Sequence, residues 1–256
     1  MDTLAGIPGP LFVVIIGVYI LAGLIKGTLG IGLPTAGISL TAQITDARTA
    51  IALVIIPMLL TNVWQVFRTR QYIHRAIRYW PLALTMIAGI VVFSWIAPQI
   101  SIRWVTLLLG MTVLVFSAVS LVREVPALQP KFDKPAQLLS GLFAGAMGGI
   151  TGVWAPPIII YMSAIRIDKT TFVAVVGVLL MLGSLTLALS YSNVGLITKG
   201  QAWASAILVV PSIAGFSLGE RIRDKLDEAL FKRLVLLFFL LMGLNLIRKS
   251  LHITIF

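Results

Sequence analysis

One apolar segment broken by glycine and proline occurs twice in this chain, 122 positions apart, and that duplication limits the folds open to it. Gly23, Gly27, Gly30, Gly32 and Pro34 are matched at that spacing by Gly145, Gly149, Gly152, Trp154 and Pro156. The same shift carries Asp46 onto Asp168, Thr49 onto Thr171 and Ala52 onto Ala174 without a gap. A run interrupted in this way is not one regular helix. In a chain that crosses a membrane several times, paired breaks in corresponding halves mark the expected ligand site.

The membrane is the expected solvent. Hydrophobic residues make up 59% of the 256 and charged residues 11%. Runs long enough to span a bilayer fall at 47–67, 79–97, 104–122, 172–192, 203–218 and 231–247. The broken segments occupy about 11–43 and 136–164, so residues 1–125 and 126–256 each read as one membrane repeat. No stretch has the polarity or length of a soluble domain. The net charge of +11 sits in short connections between spans, where cytoplasmic loops collect Lys and Arg, and gives no reason to expect a nucleic-acid partner. The chain has no cysteine, which excludes disulfide and thiolate chemistry. Met1-Asp2-Thr3 lacks a basic leader, so the first apolar segment reads as an uncleaved part of the protein.

Two topologies compete, and charge counting separates them. If each broken segment crosses fully, the basic residues divide 10 to 9 between the two faces. If each enters and returns, only Arg48, Arg103, Lys199, Arg248 and Lys249 lie on one face; fourteen others, from Arg68 to Arg233, share the opposite one. The positive-inside rule favours the second arrangement. Each half is then a re-entrant hairpin plus three transmembrane helices, and the odd number inverts the second half relative to the first. The predicted fold class is an all-α polytopic membrane protein with an inverted repeat, its hairpins meeting near the midplane. The length of the apolar run before Gly30 leaves full crossing open.

Several residues have the chemistry to bind an anion. The half-helices that begin after each break have free N–H groups and a positive dipole end, which hold anions without a charged side chain. Gly30, Gly32 and Gly152 allow close approach to the backbone beside Pro34 and Pro156, and Thr28, Thr35 and Thr151 add hydroxyls. Gly23, Gly141 and Gly145 read instead as helix-packing glycines. Lys26 is the one basic residue within an apolar segment. It reads either as an anion-attracting group or as a snorkelling lysine. Asn62 and Gln65 share a helical face and either contact substrate or join helices. Trp154 stacks on or gates a ligand, or packs, and Tyr161 is a weaker candidate of that kind. Asp46 and Asp168 stand where helix N-caps are expected. All nine acids (Asp2, Asp46, Glu124, Asp133, Asp168, Glu220, Asp224, Asp227 and Glu228) lie outside the predicted spans, and His74 and His252 lie at loops or ends. No cofactor or metal is expected, and no hydrolytic triad or other enzyme site.

The stretches Gly23–Pro34, Gly141–Pro157 and Pro211–Leu234 resemble the TauE/SafE family of sulfite-exporter-like membrane transporters over essentially the whole chain. One departure is Trp154, within Val153-Trp154-Ala155-Pro156-Pro157, where the family often has Gly-Gly-Pro at the second hairpin's tip. The resemblance implies export, or occasionally import, of small sulfur-containing or organic anions. The expected protein is therefore an anion exporter of the inner membrane, multi-pass, with a small anionic substrate and the lipid bilayer as its partners; its oligomeric state, homo-oligomer or single copy, stays open. Competing classes are an anion or small-solute channel, an importer of small organic acids, and an intramembrane enzyme or assembly factor.

Overall fold

The computed structural model describes residues 3–4, 6–122, 125–223, 225 and 227–252. Among the described residues, a two-residue antiparallel pair, β1 (Thr3–Leu4) and β2 (Ile7–Pro8), leads into eleven α-helices. The first broken segment forms α1 (Gly9–Leu29) and α2 (Leu33–Ile44), and α3 (Ala47–Arg68) follows. A 3-10 stretch, Arg70–Tyr79, runs into α4 (Trp80–Ile96), and α5 (Ile102–Val122) closes the first half. The second broken segment forms α6 (Asp133–Thr151) and α7 (Ala155–Ala164), followed by α8 (Lys169–Asn193). The last elements are α9 (Lys199–Ile207), α10 (Val209–Arg223) and α11 (Glu228–His252).

Seven helical stretches among the described residues are long and apolar enough to cross a membrane: α1, α3, Arg70–Gln99, α5, α8, Lys199–Arg223 and α11. The protein is an all-α polytopic membrane protein. α1, the arm of the first broken segment whose length leaves full crossing open, has 21 residues and extends for about 31 Å, close to the thickness of the hydrocarbon core. Helix ends also differ from the sequence reading. α10 continues to Arg223, so Glu220 lies in its last turn rather than beyond it. Asp46, Asp168 and Asp227 each accept backbone N–H groups at a helix start, as N-caps do. Asp2, Arg123, Glu124 and Asp224 lie outside the described residues.

The chain forms two compact units. One comprises Met1–Thr61, Ile100–Val122 and Gly195–Phe256. In it α1 packs on α10 through facing glycines: a Cβ at Gly23 or Gly27 would overlap the backbone of Ser212 or Phe216, and one at Gly215 or Gly219 that of Ile20 or Leu24. α5 packs on α11 in the same way, where a Cβ at Gly243 would come within 2.8 Å of the Leu114 nitrogen. The other unit comprises Asn62–Gln99 and Arg123–Val194. There α6 packs on α4, and a Cβ at Gly145 would lie 2.6 Å from the Met86 oxygen and one at Gly149 2.9 Å from that of Ile90. Small residues let backbones touch, which is how helices associate when lipid removes the hydrophobic driving force.

In each broken segment the helix after the break packs on the helix before it. In the first unit Gly37 of α2 faces Tyr19 in the middle of α1. β1 lies beside α9 at the entry to α1, and at the exit the Gln201 amide of α9 donates to the Thr49 hydroxyl (3.5 Å). In the second unit entry and exit meet directly: the Leu128 N–H donates to the Ala164 carbonyl (2.9 Å) and the Tyr161 hydroxyl to Asp133 (2.6 Å).

Candidate functional sites at the two helix breaks

The first break is made by two left-handed glycines. Gly30 (φ +77°) ends α1 by donating its N–H to the Lys26 carbonyl, and Gly32 (φ +105°) precedes α2. A side chain is strained at either φ, and a Cβ on Gly32 would press on Ile25 at 3.1 Å. Pro34 lies in the first turn of α2, so the amides of Leu33 and Thr35 are the N–H groups there with no carbonyl behind them in the helix. Lys26 stands one turn before Gly30. Its side chain is 0% exposed, and its ammonium donates to the Thr61 hydroxyl (3.2 Å), which donates onward to the Pro57 carbonyl (2.8 Å). Lys26 therefore does not snorkel to an interface; α3 holds its head inside the protein. The Thr28 hydroxyl is spent on the Leu24 carbonyl (2.9 Å), and the Thr35 carbonyl accepts from Ser39. The first unit thus gathers Lys26, Thr28, Gly30, Gly32, Pro34 and Thr35, and adds Thr61.

The second break has a single left-handed glycine, Gly152 (φ +71°), whose N–H returns to the Gly148 carbonyl (2.9 Å). The Thr151 hydroxyl donates to the Met147 carbonyl (2.7 Å) and accepts from the Val153 N–H (3.3 Å). Trp154 precedes α7 and is 1% exposed. Pro156 and Pro157 remove two N–H donors from the first turn of α7, whereas the first turn of α2 loses only that of Pro34. The Trp154 indole fills the space between α6 and α8: a Cβ on Gly148 would lie 3.0 Å from its own Cβ, and one on Gly183 2.5 Å from its Nε1. That Nε1–H has no hydrogen-bond partner.

The 122-residue shift relates these two arrangements. Gly148 corresponds to Lys26, Gly183 to Thr61 and Trp154 to Gly32. Where the first unit places an ammonium on a hydroxyl beside a bare glycine, the second places an indole against two glycines. The sequence singled out Lys26 and Trp154 but missed their local partners. Thr61 stands out in the sequence only as a polar neighbour of Asn62, and Gly148 and Gly183 only as repeat counterparts.

Asn62 and Gln65 join α3 to α8. The Asn62 amide donates to the Leu180 carbonyl (3.0 Å) and the Ser184 hydroxyl (3.4 Å), and the Gln65 amide to the Val173 carbonyl (3.2 Å) over Gly177. Gln65 Oε1 is buried without a partner. At the base of the second broken segment, Arg78 pairs with Asp133 (3.0 Å) and Arg75 with Asp168 (3.5 Å). Burial acts to raise the Asp133 pKa, but hydrogen bonds from Tyr161 and Arg78 overcome it and hold the carboxyl below its ordinary range. Hydrogen bonds from the Thr171 hydroxyl and N–H hold Asp168 low. No group of three His, Cys, Asp or Glu side chains among the described residues is placed to hold a metal.

No curated protein and no solved structure matches this chain. The model of one family, described as sulfite exporter TauE/SafE, matches residues 15–246. With nearly the whole chain matched and seven helices able to span a bilayer, this protein belongs to the TauE/SafE sulfite exporter family of membrane transporters.

Proposed function

We propose that this protein exports small oxygen-bearing anions, sulfite-like oxyanions or organosulfonates, across the inner membrane by alternating access. The observation that carries the reading is the wholly buried Lys26 ammonium, one turn from a two-glycine break that opens onto a helix N-terminus. A buried cation is costly and serves best where an anion comes to meet it. The first-turn amides of α2 add donors along the dipole, and Gly30 and Gly32 leave room for oxygens to approach. Thr61 orients the ammonium. Trp154 fills the corresponding space in the second unit, so we assign recognition of the substrate's charge to the first break. Membership of a sulfite exporter family agrees with this substrate class.

Two features support re-entrant hairpins within an inverted repeat. The ends of each broken segment are held on one side of their own unit, and the re-entrant topology gives the larger charge asymmetry. At 12 residues, α2 rises only about 18 Å and does not recross a bilayer alone. Uncoupled export is energetically sufficient: with the cytoplasm negative, each negative charge leaving gains about 2.3 kcal/mol per 100 mV.

Reconstituted vesicles test the proposal. Sulfite or a short alkanesulfonate should leave in a saturable manner, faster with a negative interior, and continue after the proton gradient is collapsed. Lys26→Ala should raise KM at least tenfold with a smaller effect on the maximal rate. Flux that does not saturate identifies a channel, flux that stops with the proton gradient identifies a coupled carrier, and an unchanged KM removes Lys26 from the site.

A further inference from the structure

The transport reading leaves Lys249 unused, although three backbone carbonyls near the base of the first hairpin surround it. Its ammonium donates to three backbone carbonyls at the end of α2 and in the following turn: Ala42 (2.7 Å), Thr45 (2.7 Å) and Gln43 (3.3 Å). The last carbonyls of a helix have no N–H ahead of them and carry the negative end of its dipole. The carboxylate of Asp46, next in the chain, adds a favourable Coulomb interaction with Lys249. α11 fixes this corner with one face: the Asn245 amide donates to the Gln43 side chain (2.5 Å), and the Gln43 amide donates to the Met242 carbonyl (3.4 Å).

Three carbonyl oxygens around one positive group form the donor set of a hard-cation site, and the Asp46 carboxylate adds negative potential from outside contact range. The oxygen distances exceed the roughly 2.3–2.6 Å that Ca²⁺ takes, which suits a larger monovalent ion. The second half solves the same problem differently. There the Ala164 carbonyl, counterpart of Ala42, accepts the Leu128 backbone N–H.

We propose that the α2–α3 corner is a monovalent-cation site that the Lys249 ammonium fills, a tethered substitute for a coupling ion. The inference rests on the export reading only for its meaning to transport: a free alkali ion here would link the returning arm of the hairpin to a cation gradient, and a covalently attached one removes that link.

The test measures melting of the purified full-length protein in choline, lithium, sodium, potassium and rubidium chloride at equal ionic strength. Wild type and Lys249→Arg should melt alike in all five. Lys249→Ala should lose about 5 °C in choline and regain most of it, saturably, in potassium or rubidium. If Lys249→Ala melts like wild type in choline, if no alkali salt raises it more than choline does, or if it is recovered folded in none of the five, the inference fails. No transport is measured, so the vesicle experiment can fail or succeed independently.

Discussion

The two halves use corresponding positions for opposite chemistry. Lys26 with Thr61 places charge beside one break, and Gly148 with Gly183 makes room for Trp154 beside the other. The unpartnered Trp154 Nε1–H is a buried donor whose desolvation costs on the order of 1–3 kcal/mol. The fit is tight enough to measure. Gly183→Ala places a methyl against Nε1, Cε2 and Cζ2 of the indole and should destabilise the protein by about 1–3 kcal/mol. Trp154→Phe removes the five-membered ring edge that it strikes, so in that background the penalty should fall below about 0.5 kcal/mol, as a double-mutant cycle of melting curves would show. Equal penalties in both backgrounds mean that Gly183 is constrained by something other than Trp154. Lys26 was legible in the sequence because a charge in an apolar run is conspicuous. Gly183 was not, because a glycine in a helix says nothing about which side chain covers it.

Helix α3 shows how an element depends on a distant residue for its integrity. Pro57 lies inside it and frees the Leu53 carbonyl four residues earlier. The Ser205 hydroxyl of α9 donates to that carbonyl (2.8 Å), and α9 itself starts with a capping box formed by Thr198 and Gln201. Ser205→Ala should therefore cost about 1–2 kcal/mol. In a Pro57→Ala background, where residue 57 supplies its own N–H to Leu53, most of that loss should disappear from thermal unfolding. An undiminished loss would assign Ser205 a different role. The breaks at Gly30–Pro34 and Gly152–Pro156 were legible because glycine and proline act on the backbone directly. The interruption between α9 and α10, within the expected span 203–218, was not. Neither was the 3-10 stretch Arg70–Tyr79, which composition alone made a loop. Both depend on which neighbours receive the freed backbone groups, and that is a tertiary property.

At the scale of the whole molecule, the compact units cut across the sequence halves. α1 of the first half packs on α10 of the second, and α6 of the second packs on α4 of the first. The repeat spacing tells which elements correspond, and small residues every four positions tell which faces approach closely, but neither names the partner. Gly23 and Gly27 would serve against any glycine-lined helix; Gly215 and Gly219 meet them because the whole chain brings them there. Sidedness in the bilayer belongs to this scale too, and the chain is well suited to measuring it, since with no native cysteine each introduced thiol is unique. Cysteine at Arg68, Arg166 or Arg223 should react with an impermeant maleimide only from the cytoplasmic face, and cysteine at Arg48 or Lys199 only from the opposite one. Re-entrant hairpins require Arg68 and Arg166 to share a face, whereas full crossings place them on opposite faces. Labelling of Arg166→Cys from outside intact cells, with Arg68→Cys protected, would overturn the proposed inverted repeat of re-entrant hairpins.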